Sequence, residues 1–254
     1  VLGNRGREWM WQYAGRVAVR KGPVEVSLTD LSGFDGRCDA VYFTRDQGDV
    51  PPAGSGELAA FRRRMLHIPD TPQRVESFDF VVVGGGIAGM CAAVSASRLG
   101  CRVALVNDRP VLGGNNSSEV RVHLGGVIEV GPNKGLGRMI REFGHSRGGN
   151  AQPAGNYEDA KKEEFIAAEK NVALFAGCRA VAVNTTGSRI ASVVVRHIET
   201  GEETLLEAPL FADCTGDGTV GFLAGADFRM GRESRDEFGE ELAPAAADRM
   251  TMGS

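Results

Sequence analysis

Three glycines, Gly84, Gly86 and Gly89, stand at a spacing that binds the phosphates of a nucleotide in many proteins. In that pattern the first glycine allows a tight turn, the second lets the backbone approach a pyrophosphate, and the third lets the following helix lie close to the strand. The helix N-terminus adds free N–H groups and a positive dipole end. The spacing therefore predicts a nucleotide site. The alternative is a glycine-dense helix–sheet contact without a ligand.

The elements around these glycines match such a site. An apolar run, 80–83, precedes them and predicts a buried strand. The residues after them suit a helix packed on a sheet, and a second apolar run ends at Asn107. A membrane span would need about 20 continuous apolar residues. Here the glycines interrupt the segment and Arg98 ends it. The order strand, glycine turn, helix, strand therefore favours a dinucleotide fold.

The residue that ends the second strand usually contacts the ribose hydroxyls and is usually acidic. In this chain that residue is Asn107, and Asp108 follows it. An asparagine can form one hydrogen bond with a ribose hydroxyl, and Asp108 could do so in its place. Asp108 could equally be a turn residue before Pro110. The sequence leaves the two open.

A second glycine pair, Gly113-Gly114, lies six residues past Asn107. A pair at this spacing resembles that of two-dinucleotide-domain flavoproteins of the glutathione reductase and succinate dehydrogenase type. The stretches 84–89, 103–119, 125–126 and 213–218 are similar to the bacterial FAD-dependent oxidoreductase family, and the resemblance covers about residues 78 to 244. It implies FAD as the cofactor. The position of the covalently bonded histidine of some relatives falls near Glu119, so we expect non-covalent FAD.

The resemblance also implies roles for individual residues. The first three glycines would hold the pyrophosphate, and Asn107 or Asp108, with Arg109, would hold the adenosine ribose edge. Ala180 would offer its backbone to the adenine. The inner part of the cofactor would be lined by Gly113, Gly114, Asn115 and Ser118, and Thr215, Gly216 and Asp217 would close over the nucleotide. For Asp217, an N-cap of the next helix is an equally good interpretation.

Arg121 and His123 are candidates for catalysis. They alternate with Val120 and Val122, which predicts one face of a strand running toward the flavin ring. A cation there would stabilise the reduced ring, and a histidine could move a proton. A lone histidine is, however, more often structural.

Composition excludes other classes of site and partner. The chain has 254 residues, 42% of them hydrophobic, and a net charge of −4, so we expect no nucleic-acid partner. A small-molecule substrate is what the family resemblance implies. The four histidines and five cysteines show no ligand spacing, and we expect no metal site. Unpaired cysteines favour the cytoplasm, although a signal peptide ahead of this segment would be compatible with the periplasm. Oligomeric state is not indicated.

The predicted fold class is α/β, a Rossmann-like FAD-binding domain with a parallel sheet and a β-meander insert, preceded by a β-sandwich remnant. Residues 1–45 read as short strands at the end of a β-rich domain, 46–77 as a linker with a short helix, and 78–254 as the FAD-binding domain. Within the last, the patterns predict a buried strand over 172–175 and a meander over 179–207. Asn156 and Asp159 are predicted to cap a helix over 157–170.

These observations predict an FAD-dependent oxidoreductase that oxidises a small organic or sugar-like substrate, with FAD as electron acceptor. One alternative is a nicotinamide-dependent Rossmann enzyme, which would need neither the second glycine pair nor the meander. The other is a non-enzymatic β-rich binding module with a structural flavin domain. We also expect an incomplete chain, because Trp9 and Trp11 lack partner strands and the chain stops soon after a helix and an acidic loop.

Overall fold

The computed structural model describes residues 10–29, 31, 38–126, 129–132, 134–144 and 149–249. They divide into two compact units, Val1–Ile68 and Pro69–Ser254. Trp9 and residues 250–254, which bear on the expectation of an incomplete chain, lie outside the described residues.

In the first unit, the described residues contain one regular element, helix α1, Ser55–Met65. The strands predicted between residues 7 and 44 are not formed by the residues that are described there. Val24, Val26 and Leu28, which suggested a one-faced strand, are each more than half exposed. Alternating apolar and polar residues favour a strand, but a strand forms only when a neighbouring strand pairs with it through hydrogen bonds. This correction concerns the strands, and the assignment of 1–45 to a β-rich domain stays a prediction.

The second unit alternates strands and helices and then forms a meander. Its strands and helices, with the helices numbered on from α1, are β1 Gln73–Arg74, β2 Phe80–Val83, α2 Ile87–Arg98, β3 Val103–Asn107, α3 Arg138–Phe143, α4 Asp159–Ala167, β4 Val172–Ala176, β5 Cys178–Thr186, β6 Arg189–His197, β7 Glu203–Glu207, β8 Leu210–Asp213, α5 Thr219–Leu223 and α6 Arg235–Phe238. A 3-10 turn, Ala154–Tyr157, precedes α4.

Two four-stranded sheets result. One is wholly parallel, in the order β4-β3-β2-β8. The other is mixed, in the order β1-β7-β6-β5: strands β5, β6 and β7 form the predicted antiparallel meander, and β1 pairs with β7 in parallel. The α/β fold with its parallel sheet and meander is confirmed.

The parallel sheet is covered on both faces. Val81 and Val83 of β2 face a cluster that includes Val193 and Leu206 of the meander, whereas Val82 faces a cluster built from helices α2, α3 and α4. Successive side chains of a strand point to opposite faces, so a strand buried on both sides must be apolar throughout. The short run 80–83 meets that requirement, which is why the sequence predicted it correctly.

Two elements differ from prediction. Strand β4 was expected to be buried, but it is an edge strand, and Leu174 is 42% exposed. Val172 and Phe175 pack against the two core clusters, and no further strand of the described residues pairs with the outer edge of β4. Helix α4 begins at Asp159, its N-cap is Glu158, and no side chain caps it, so the predicted cap by Asn156 and Asp159 is wrong.

Candidate functional site

The candidate site lies where the parallel strands end. In open α/β sheets, ligands bind in the crevice beyond the carboxyl ends of the strands. Here the loops after β2, β3 and β8 meet at that edge: Gly84 donates its N–H to the carbonyl of Val106 at 2.8 Å, and Cys214 donates to the carbonyl of Val83 at 2.7 Å. The ladder therefore continues past the strand ends and fixes these loops relative to one another.

Packing within the protein explains two of the three fingerprint glycines. A Cβ at Gly84 would lie 2.1 Å from the carbonyl oxygen of Cys214, and Gly84 has a φ of +111°. A Cβ at Gly89 would lie 1.8 Å from the carbonyl oxygen of Gly84. Helix α2 thus starts in direct backbone contact with the turn that precedes it. Both positions exclude a side chain whether or not a ligand is present.

Gly86 is different. Its backbone has an ordinary extended conformation, with φ −69° and ψ 178°, and a Cβ there would meet no atom closer than the Cα of Gly114, at 4.0 Å. The protein itself therefore leaves space for a side chain at Gly86. A glycine that protein packing does not require marks a place where something else can approach the backbone.

The N-terminus of α2 is open to a ligand. Gly86 is its N-cap, no side chain of the described residues caps it, and its first turn contains no acidic residue. The first N–H groups of a helix have no partner inside the helix and carry the positive end of its dipole. With space above Gly86, this end of α2 fits an anionic group.

The second glycine pair docks onto the first glycine loop. Gly113 forms a parallel bridge with Gly86 and donates its N–H to the carbonyl of Gly85 at 2.8 Å. A Cβ at Gly114 would lie 3.1 Å from the Cα of Gly86. Two glycine loops that are distant in sequence therefore pack directly against each other and form one side of the site. Asn115, the next residue, is exposed beside them.

Asn107 is buried at the end of β3. Its Nδ2 donates to the carbonyls of Arg109 and Val111 at 2.8 and 3.2 Å, and its Oδ1 faces Gly85. Asp108 is exposed at the start of the loop. The Arg109 side chain forms an ion pair with Glu119 at 3.1 Å. This side of the site thus presents one buried amide, an exposed carboxylate and a paired guanidinium.

Asp213, at the end of β8, organises the third loop. Its Oδ1 accepts from the N–H and the hydroxyl of Thr215, at 3.1 and 2.7 Å, and its Oδ2 accepts from the N–H of Gly221 at 3.0 Å. Burial raises the pKa of Asp213, but these hydrogen bonds outweigh it and the pKa lies below its ordinary value. Gly216 and Asp217 are exposed in the turn that follows.

The cap proposed for Asp217 is absent. The N-cap of α5 is Gly218, and no side chain caps it by the usual geometry. Instead the hydroxyl of Thr215 accepts a hydrogen bond from the N–H of Thr219 at 3.0 Å. The interpretation of Asp217 as a helix cap is therefore wrong, and its carboxylate is exposed to solvent at the site's edge.

Arg121 and His123 do not lie on a strand. No strand is formed over 118–126, and Arg121 has a φ of +64°, which a β-strand excludes. The Nε of Arg121 donates to the carbonyl of Ser118 at 3.0 Å, and the ring Nδ1 of His123 lies 2.6 Å from the Oδ1 of Asn150. The predicted common strand face is wrong because hydrogen bonds to this loop bend the chain where the alternation suggested a straight segment.

Ala180 belongs to the meander. It lies in strand β5, opposite Val195, and belongs to the core cluster between the two sheets. Sequence reasoning also missed Asp213 as an organising residue and Lys162, whose side chain is fully buried against the second glycine loop. An aspartate two residues before a threonine was an available signal for a turn. No local signal distinguishes a buried lysine from the solvent-facing lysines of an amphipathic helix.

Three further observations concern metal ligands, membrane helices and thiols. The described residues contain no group of three or more His, Cys, Asp or Glu side chains placed to hold a metal ion. Within the same part of the chain, no helix has the length and apolar character needed to cross a membrane. All five cysteines carry free thiols.

Comparison with known proteins gives one long match and several short ones. The family model described as FAD dependent oxidoreductase matches residues 79–253. Soluble pyridine nucleotide transhydrogenases of Ectopseudomonas mendocina and Azotobacter vinelandii are 40% and 41% identical over 69 residues, 27% of this chain. The chain spans 13% of the length of these relatives.

Solved structures that align with part of this chain share little of its sequence. AlpK aligns with a TM-score of 0.45 and 20% identity, over 63% of this chain and 36% of its own. The anhydrotetracycline hydroxylase OxyS from Streptomyces rimosus aligns with a TM-score of 0.43 and 21% identity, over the same shares.

Proposed function

Because the chain belongs to the FAD dependent oxidoreductase family, we propose that it holds FAD non-covalently and oxidises a small organic or sugar-like substrate, with FAD as the electron acceptor. One observation carries the cofactor part of this proposal. The second glycine pair docks on the first glycine loop at Gly86, where the protein leaves space that its own packing does not need.

The phosphates would bind at the start of α2. Gly84, Gly86 and Gly89 would bring the backbone close, and the N–H groups of the helix, which no side chain caps, would donate to the pyrophosphate. Gly113, Gly114, Asn115 and Ser118 would line the inner part of the cofactor. When bound, FAD would supply the electron chemistry, and these residues would hold and orient it.

On the adenosine side, the Oδ1 of Asn107 would accept a hydrogen bond from a ribose hydroxyl, since its Nδ2 already donates to the carbonyls of the loop after β3. Asp108 is the alternative ribose contact, and Arg109 would border it. Ala180 would contribute backbone near the adenine. Thr215, Gly216 and Asp217 would cover the nucleotide from the third loop, with Asp213 holding that loop in place.

We also propose catalytic roles for two residues. Arg121 and His123 lie beyond the second glycine pair, on a loop whose conformation is set by hydrogen bonds and not by a strand. A guanidinium there would favour negative charge on a reduced flavin, and an imidazole could accept a proton from the substrate.

Gly86→Ala tests the cofactor site. The ordinary backbone and the free space at Gly86 predict a folded variant, but the added methyl group would occupy the place of closest phosphate approach. We expect the Kd for FAD, measured by flavin fluorescence titration, to rise about tenfold or more, equivalent to about 1.4 kcal/mol or more. Gly56→Ala is the matched control, because a Cβ there meets nothing within 4 Å and Gly56 lies outside the matched residues 79–253.

Wild-type-like FAD binding by Gly86→Ala would refute the phosphate assignment. The purified protein should be yellow, and acid precipitation should release the colour into the supernatant if the cofactor is not covalently bound. A colourless protein that takes up NAD and not FAD would favour the nicotinamide-dependent alternative.

A further inference from the structure

Lys162 of helix α4 is a charged side chain without an assigned purpose in the site. Its side chain has no exposed surface. Its Nζ donates to the carbonyl of Tyr157 and lies 3.6 Å from the Oδ1 of Asp159. Burial lowers the pKa of Lys162, and the Asp159 carboxylate acts in the opposite direction. A methionine would fill similar space without burying a charge, so apolar packing alone does not account for a lysine here.

The stem of Lys162 forms the wall behind the second glycine pair. A Cβ at Gly113 would lie 2.8 Å from the Cδ and 3.0 Å from the Cε of Lys162. Gly113 itself has a φ of +108°. The loop therefore lies against this side chain at the same residue that bridges to Gly86 on its other side.

The partners of Lys162 reach the rest of the same loop. Both carboxylate oxygens of Asp159 accept from the N–H of Ser118, at 3.1 and 3.3 Å. The hydroxyl of Tyr157 donates to the carbonyl of Arg121 at 2.5 Å and accepts from the N–H of Gln152 at 3.2 Å. Through the main-chain carbonyl of Tyr157 and the carboxylate of Asp159, one buried ammonium thus connects two residues whose side chains hold the loop.

We propose that Tyr157, Asp159 and Lys162 form a clamp that holds residues 113–121 in the conformation that receives the cofactor, with Lys162 as its central positioning residue. The positive φ of Arg121 fits this role, because a strained conformation persists only where its surroundings impose it. By ordering the loop before the cofactor arrives, the clamp lowers the ordering cost of binding. That it serves FAD rests on the proposed function, whereas its hold on the loop does not.

The test compares Lys162→Met with Lys161→Met. The first removes the buried ammonium and keeps an unbranched stem. The second removes the same charge from the neighbouring residue, which is 55% exposed and pairs with Glu158. Amide hydrogen exchange is measured on the protein without FAD over residues 113–121, and the Kd for FAD is measured by fluorescence titration.

For Lys162→Met we expect faster exchange at Ser118 and its neighbours and a rise in the Kd for FAD of about tenfold, since hydrogen bonds to charged groups are the stronger ones. For Lys161→Met both should match the wild type. If Lys162→Met does not fold, Tyr157→Phe takes its place, because it removes only the hydroxyl that contacts Arg121 and Gln152.

Unchanged exchange over 113–121 in a folded variant would overturn the clamp. Faster exchange with unchanged FAD affinity would overturn its positioning role. If the wild type itself did not bind FAD, the proposed function would fail, and the exchange data would still decide whether the clamp holds the loop.

Discussion

The Asn107 side chain connects the end of β3 to the loops on either side of it. Its amide donates to two carbonyls of the following loop, and its oxygen faces Gly85 of the preceding one. An aspartate, the residue more usual at this position of a dinucleotide fold, would have no donor for those carbonyls. The asparagine is therefore explained by the shape of this loop.

Asn107→Asp should destabilise the second unit. A buried carboxylate would face two carbonyl oxygens, which leaves these groups unsatisfied at a cost of about 1–3 kcal/mol. Asp108→Asn, at an exposed position next to it, should change the free energy of unfolding by less than about 0.5 kcal/mol. Urea unfolding at neutral pH measures both. Equal stabilities for Asn107→Asp and the wild type would show that the amide does not organise the loop.

At the scale of elements, helix α5 is tied to the parallel sheet by one carboxylate. Asp213 ends β8 and accepts from both Thr215 and Gly221, so it joins the strand, the turn and the helix. These hydrogen bonds favour the ionised form. The pKa of Asp213 in the folded protein accordingly lies below its ordinary value of 3.8.

This shift predicts a pH dependence with a definite sign. Because the folded-state pKa is depressed, the stabilisation from Asp213 is fully present above pH 3.8 and is lost as the pH falls through the folded-state pKa. The difference in unfolding free energy between wild type and Asp213→Asn should therefore be constant near neutral pH and shrink in acid. Urea unfolding at a series of pH values measures it.

Asp217→Asn is the control for that series. Asp217 lies in the same turn and is exposed. Its substitution should leave the pH profile of stability as it is in the wild type. A wild type and an Asp213→Asn variant whose curves stay parallel down to acid pH would contradict the role given to Asp213.

At the scale of the second unit as a whole, the site depends on the folded sheet. The two glycine loops and the Asp213 turn belong to separate stretches of the chain and meet only when β2, β3 and β8 are paired. The unfolded chain offers no such site. A ligand that binds only the folded form stabilises it by mass action.

FAD at a hundred times its Kd should therefore raise the unfolding free energy of the second unit by about 2.7 kcal/mol. Hydrogen exchange of the buried backbone amides of β2 and β3 measures this change in the unfolding free energy. NAD at the same concentration should produce no shift. A rise in the unfolding free energy with NAD and none with FAD would show that the protein binds NAD and not the proposed FAD.

Much of this protein could be predicted from short-range patterns. The strand 80–83, the glycine turn, helix α2 and the meander were all found, because their signals are the apolar period and the glycines of a few neighbouring residues. The same local character explains the failures. The alternation over 120–123 and 24–28 indicated strands, but strands need partners, and whether a partner is present is not a local property.

The sequence by itself determined the class of fold, the family resemblance and the glycines that could approach a phosphate. Only the tertiary structure decided which glycine has space to spare, that Gly113 bridges to Gly86, and that Lys162 lies buried behind that bridge. The sequence does not show whether a given glycine, lysine or arginine lies in solvent or in a packed loop. Its surroundings are set by residues far along the chain, which become neighbours only when the core closes.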